Sequence, residues 1–251
     1  MSRNIGLSCY PGSPEKLSKI LSIMKEYGLG TIRISSRPPW MGWGSHGLDT
    51  GYIDKALAEG HRVIIDPIHL YPPNATTAAD AKTHRGDIIQ VFKSLGARYA
   101  GIVEAEFELV NEYQDPADYY SFMQGLVTEL REAGVTNRFV VNKPPQNAPP
   151  YQVIVDPVET VQGFHPYMDY WSPSSVTAEI DRGLKVLPSL CLTEFGASTK
   201  EGYSYTSALV AEVNSVLDAN KNKPVDFCLW LNEGWNPNWP SYEMYGLKLP
   251  A

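Results

Sequence analysis

Strand-like and helix-like segments alternate along the whole of this 251-residue chain. That alternation restricts its fold more than any single motif does. "NIGLS" reads as a strand, and "SPEKLSKILSIMKEYG" as a helix capped by Ser13, with Pro14 in its first turn and Gly28 stopping it. "TIRIS", "RVIID", "FELV" and "RFVVN" follow as strands two to five, and "VQGFH", "SLCLTEF" and "DFCLWL" as strands six to eight. Between them, "TGYIDKALAEG", "ADAKTHRGDIIQVFKSLGARY", "DPADYYSFMQGLVTELREAG", "SSVTAEIDRGLKV" and "SYTSALVAEVNSVLDAN" carry helical periodicity. Repeated βα units imply parallel strands with right-handed crossovers. Eight of them close into a (β/α)8 TIM barrel more naturally than into an open sheet. A doubly wound sheet is the alternative, but no glycine-rich phosphate loop follows strand one. The expectation is an α/β chain forming one barrel domain over residues 1–251, with no segment that reads as a linker.

Composition narrows the partners. A net charge of −7 argues against nucleic acid, whose phosphates call for clustered Lys and Arg. No apolar run approaches the roughly 18 residues of a membrane span, so no membrane partner is expected. The opening "MSRNIGLSCY" has no secretory-signal pattern, which fits a cytoplasmic chain or a secreted one whose leader has been removed. Cys9, Cys191 and Cys228 sit in or beside apolar strands and read as buried free thiols; no Cys/His cluster has zinc spacing. Neither a metal nor an organic cofactor is expected, and a monomer is. Aromatic residues crowd the loop-like stretches "RPPWMGWGSH", "HLYPPN", "YMDYWSP" and "EGWNPNWPSYEMY". Such rings on separate loops suit a groove that stacks on the apolar faces of sugars, although packing between loops would use them equally well.

In a barrel the chemistry sits at the C-terminal ends of the strands. Those ends carry Arg33, Asp66 and His69, Asn111 and Glu112, Asn142, His165 and Tyr167, Glu194, and Trp230. Glu112 and Glu194 close strands four and seven, which face each other across an eight-stranded barrel. Two facing carboxylates are what retaining glycoside hydrolysis needs: one protonated to serve the leaving oxygen, the other ionised to attack, about 5–5.5 Å apart. Arg33 and the Tyr167 hydroxyl are the groups placed to keep Glu194 ionised, and Trp230 offers a flat wall beneath a sugar ring. Glu108 shares strand parity with Glu112 and is the natural ion-pair partner for Arg33.

"FELVNEY", "FHPY", "SLCLTEFGAS" and "DFCLWLN" resemble the fourth, sixth, seventh and eighth strand motifs of the clan A glycoside hydrolases. The pattern is most like the family 5 cellulases and mannanases, with "TIRIS" and "RVIIDPIHLY" similar to strands two and three. The resemblance implies that Glu112 is the acid/base and Glu194 the nucleophile. It implies that Arg33, His69, Asn111, His165, Tyr167 and Trp230 surround the reacting sugar. Trp40, Trp43 and Trp235 are candidates for further sugar subsites. His69 lies three residues after Asp66, where family 5 members place it two after, and "HPY" is also similar to other clan A families such as 39. A second Asn-Glu pair, Asn232-Glu233, follows strand eight past Trp230, where the clan carries an aromatic residue and not the acid.

The expected activity is that of a retaining endo-β-glycosidase acting on a β-1,4-linked polysaccharide, endoglucanase-like. A β-mannanase, another clan A glycosidase or a transglycosylase keeps the same residues. A carbohydrate-binding barrel without turnover is the alternative of a different class. Each residue also has a plainer reading: Glu112 and Glu194 as turn acids, Arg33 as a buried ion-pair partner, His69 and His165 as structural hydrogen-bond donors, the loop tryptophans as packing.

Overall fold

The computed structural model describes residues 5–38, 40, 47–69, 77–143, 150–168, 170–196 and 207–231. Eight parallel strands pair in chain order: β1 (Ile5–Cys9), β2 (Thr31–Ser35), β3 (Arg62–Asp66), β4 (Ala105–Glu108), β5 (Phe139–Asn142), β6 (Thr160–Gly163), β7 (Leu190–Phe195) and β8 (Val225–Leu231). β8 returns to pair with β1, so the sheet is a closed barrel, as the alternation implies. Among the described residues seven helices accompany them: α1 (Pro14–Glu26), α2 (Thr50–Ala58), α3 (Thr77–Thr83), α4 (Arg85–Arg98), α5 (Tyr119–Glu132), α6 (Pro173–Leu184) and α7 (Ser207–Ala219). None of the described helices is long and apolar enough to cross a membrane.

Local chemistry explains the element ends. The Ser13 hydroxyl accepts from the Lys16 N–H, and Pro14 occupies the first turn, where its missing N–H costs nothing. Gly28, in the left-handed region at φ 65°, follows the end of α1. The helix buries Leu17, Ile20, Leu21 and Met24, spaced by three and four, against the sheet. α6 repeats the device with Ser172 as cap and Pro173 after it.

Several boundaries differ from the sequence reading, and three of the differences have a local cause. The single helical segment expected over "ADAKTHRGDIIQVFKSLGARY" breaks at His84, which has non-helical backbone and caps α4 without a side-chain bond. α5 begins at Tyr119 and not at Asp115-Pro116, because the Asp115 carboxylate accepts from the Ala117 N–H and turns the chain first. β4 starts at Ala105, two residues before "FELV", because Ala105 and Glu106 pair with Val63 and Ile64 of β3. Arg62 and Arg138 make a buried Glu106 tolerable there, each 2.9 Å from its carboxylate.

Alternation along the strands separates two layers of packing. Outward residues such as Leu7, Ile32, Ile34, Val63, Ile65, Phe107 and Leu192 form the main core with the helices. Ile64, Val140, Val161, Cys191 and Cys228 form a separate apolar plug inside the barrel, and all three cysteines are buried and free. Below the plug lie Arg62, Glu106 and Asp226; above it lies a charged cluster centred on Arg33. At Gly163 the strands approach too closely for any side chain: a Cβ there would stand 1.7 Å from the Cys191 carbonyl oxygen.

One irregularity matters for function. Leu192 of β7 faces Phe227 of β8, but Phe195 faces Leu229, so β7 holds one residue more than its partner over this stretch. This bulge lets the neighbours Thr193 and Glu194 both direct side chains into the barrel mouth, which strict alternation forbids.

Candidate active site

Arg33 organises the mouth. It is fully buried on β2, and a buried guanidinium is stable only if its donors are matched. Its Nε and Nη2 donate to the two oxygens of Glu108 at 2.6 and 2.7 Å. Nη1 donates to Glu194 Oε1 at 2.8 Å and to the Ser8 hydroxyl at 3.1 Å. Nη2 also donates to Asn111 Oδ1 at 2.9 Å and lies 2.9 Å from Asp66 Oδ2. The partnership of Arg33 with Glu108, expected from strand parity, is therefore present, and Arg33 reaches Glu194 as well.

Glu194 is nearly buried, and its second oxygen, Oε2, accepts from the Tyr167 hydroxyl. Burial alone pushes its carboxyl up. His165, Arg33 and His69 outweigh that, together with the Tyr167 hydrogen bond, and hold it down at about 2. Burial and the charges of Glu194 and Glu112 raise Tyr167 well above the ordinary phenol range, so it remains a donor. Burial likewise pushes Glu108 up, against the pull of Arg33.

Glu112 follows β4 and faces Glu194. The two residues and His165 bring one oxygen or ring nitrogen each within 4.8 Å of one another. His165 sits between the acids, its Nδ1 3.2 Å from Glu112 Oε1 and 3.7 Å from Glu194 Oε2. Its Nε2 is 2.9 Å from the Thr193 hydroxyl, which accepts from Asn142 Nδ2 at 2.9 Å. Burial lowers the pKa of His165, but Glu194, Glu112 and Glu108 more than offset this, leaving it above the usual imidazole range.

His69 joins the site despite its shifted spacing: its Nδ1 is 2.6 Å from Asp66 Oδ2 and 3.8 Å from Glu194 Oε1. Its ring stacks on Trp230 at 5.9 Å and 12°, and Tyr10 meets both edge-on, at 5.0 Å to His69 and 5.7 Å to Trp230. Tyr10 and Thr193 are members of the site that no sequence pattern marks. Tyr10 ends an apolar strand and carries no motif, and Thr193 adjoins Glu194, where alternation admits only one of the two. Trp40 lies elsewhere, stacked on His84 at 4.5 Å and packed against the core. Trp43, Trp235 and Glu233 lie outside the described residues.

Among the described residues, Glu112, His165 and Glu194 are the one group of three that could ligate a metal ion. Both Glu194 oxygens already accept bonds, from Arg33 and Tyr167, and a cation would have to displace them in the face of the Arg33 charge.

The low pKa of Glu194 makes acid stability a readout of this geometry. Folded protein keeps Glu194 ionised down to about pH 2, whereas the unfolded chain protonates it near 4.5. Stability from this group is present above pH 4.5 and is lost as pH falls towards 2, by roughly 3 kcal/mol. Denaturant titrations at pH 5 and 2.5 should show a smaller drop for Glu194→Gln than for the parent protein.

No family model and no curated protein sequence matches the chain. Solved structures do. A cellulose synthase subunit Z from Clostridioides difficile superimposes with a TM-score of 0.65 at 16% identity, covering 94% of each chain. XacCel5A, in complex with cellopentaose, gives 0.68 at 17% identity over 95% of this chain and 92% of its own. Endo-glycoceramidase II from Rhodococcus sp., as a lactosyl-enzyme intermediate, gives 0.62 at 13% identity over 91% and 73%. The chain thus has the (β/α)8 fold found among the family 5 barrels of clan A, the fold that its strand motifs resemble.

Proposed function

We propose that the protein is a retaining β-glycosidase that cleaves β-1,4-linked glucan by double displacement, with Glu194 as nucleophile and Glu112 as acid/base. The strongest support is the placement of Glu112 and Glu194 oxygens within 4.8 Å across the mouth. Inverting hydrolysis places a water between its two carboxyl groups and spaces them by about 6.5–9.5 Å; a direct attack needs only about 5–5.5 Å.

In the first step Glu194 forms a bond to the anomeric carbon while the glycosidic C–O bond breaks, and Glu112 passes its proton to the departing oxygen. In the second, Glu112 takes a proton from water as the water oxygen displaces Glu194 from the same carbon. Arg33 and Tyr167 keep Glu194 ionised for attack and then stabilise it as leaving group. Asn111, held by Arg33 beside Glu112, is the candidate partner for the sugar 2-hydroxyl, a contact that strengthens in the transition state. Trp230, braced by His69, supplies the surface on which the ring stacks.

A glucan is favoured over other polymers because similar barrels have been solved with cellopentaose and cellotriose bound. Reducing-end release from soluble β-glucan, mannan and xylan tests the choice. Release from the β-1,4-glucan above that of a Glu194→Ala blank is expected. Release confined to mannan or xylan would overturn the choice of polymer, and no release from any of them would overturn the endo-acting reading.

A further inference from the structure

Glu112 is the only non-glycine among the described residues with a positive φ, 47°. A residue with a long side chain rarely adopts this left-handed backbone, and it persists only where the surroundings enforce it. The enforcement comes from Thr77, at the first position of α3 and almost wholly buried. Its hydroxyl donates to the Glu112 carbonyl oxygen at 3.0 Å and accepts from the Gln114 N–H at 3.0 Å. One side chain thereby uses both its donor and its acceptor on the two ends of the turn that aims Glu112.

The preceding residue is secured separately: the Asn111 N–H bonds the Ile68 carbonyl at 3.2 Å, and its side chain meets Arg33. The following residue is anchored too, with the Tyr113 hydroxyl donating to Asp118 at 2.9 Å and its ring stacked on Phe122. Among the described residues, the side-chain polar partner of Glu112 is His165, at 3.2 Å. With its neighbours fixed by other groups, the direction of the Glu112 side chain depends on the backbone between them.

We infer that Thr77 is a positioning residue for proton transfer: its hydroxyl clamps the left-handed turn at Glu112 and so points the acid/base at the glycosidic oxygen. The inference rests on the role proposed above for Glu112. It also makes α3, a helix with no side chain in the catalytic cluster, part of the catalytic apparatus. The effect should fall on the step that needs a proton and spare the attack by Glu194.

The test compares substrates that differ only in leaving group, an unactivated cello-oligosaccharide and its dinitrophenyl glycoside counterpart. Thr77→Val keeps the shape and removes both hydrogen bonds; Thr77→Ser keeps both. For Thr77→Val, kcat on the unactivated substrate should fall roughly tenfold or more, a part of the roughly 10²–10⁴ that general acid catalysis contributes. On the dinitrophenyl substrate, whose leaving group needs no proton, kcat/KM, which reports the first step, should stay within about twofold by the same argument, while any slowing of the base-assisted second step lowers kcat and KM together. Thr77→Ser should restore the unactivated rate.

Glu112→Gln run alongside separates the two claims. If Glu112→Gln shows leaving-group dependence in kcat/KM and Thr77→Val loses kcat/KM on both substrates equally, the clamp is only structural and the inference fails. It fails equally if folded Thr77→Val keeps the parent rate on the unactivated substrate, or if Thr77→Ser behaves like Thr77→Val. If Glu112→Gln itself shows no leaving-group dependence, the acid/base assignment fails and takes the inference with it. Should Thr77→Val not fold, Thr77→Ala and Thr77→Ser are read by the same two-substrate ratio.

Discussion

Glu194→Ala is expected to lower turnover by roughly four orders of magnitude or more, the scale seen when a nucleophile is deleted from a unit that works together. Alanine leaves no oxygen within reach of the anomeric carbon, so the covalent route closes outright. The fold should survive, because Arg33 keeps Glu108 and Asp66 as ion-pair partners and is not left as an uncompensated buried charge. A small anion such as azide fits the space vacated and has the charge to exploit Arg33. It should restore turnover of an activated β-glycoside and yield the α-glycosyl azide, because a single displacement inverts the anomeric centre. Wild-type-like activity in Glu194→Ala would remove Glu194 from the mechanism. Azide rescue with a β-azide product would instead place it in the acid/base role.

Arg33→Met carries the largest expected effect on stability. Its guanidinium faces Glu108, Asp66 and Glu194, at 2.6, 2.9 and 2.8 Å, and none of the three carboxylates is more than marginally exposed. Breaking one buried pair by removing a single partner costs about 3–5 kcal/mol, because the remaining charge is left uncompensated. Methionine fills the volume but neutralises nothing. Without the cation, which pulls the carboxyls of Glu108 and Glu194 down, the folded protein should take up protons on these two acids, so the deficit shrinks from pH 7 to pH 4 and does not grow. Denaturant titrations at both pH values measure it. A deficit below about 1 kcal/mol, the worth of an exposed ion pair, would show that Arg33 is not what neutralises the cluster.

Much of this cluster is legible in the sequence because it lies at the C-terminal ends of the strands. Glu108 is placed by counting along an alternating strand, and Arg33, Glu112, His165, Tyr167, Glu194 and Trp230 by their positions at strand ends. The closed barrel itself follows from the alternation of β and α segments. What escapes such a reading depends on tertiary register. Thr193 enters the site together with Glu194 because β7 holds an extra residue opposite β8, which periodicity within β7 does not reveal. Thr77 acts across 35 residues on a turn whose left-handed backbone no propensity assigns to glutamate. The early start of β4 depends on Arg62 and Arg138, which compensate an acid that looks foreign to a strand when read alone. His84 breaks a helix whose hydrophobic periodicity runs on past it, while its ring stacks on Trp40.

The proposed mechanism stands or falls with the facing pair Glu112 and Glu194, and stereochemistry probes that pair without any substitution. The anomer released first from a β-1,4-linked oligosaccharide can be followed by proton NMR before mutarotation equilibrates it. The β-anomer is expected as the initial product, because two displacements at one carbon restore its configuration. An initial α-anomer would mean a single displacement by water and would contradict a covalent role for Glu194.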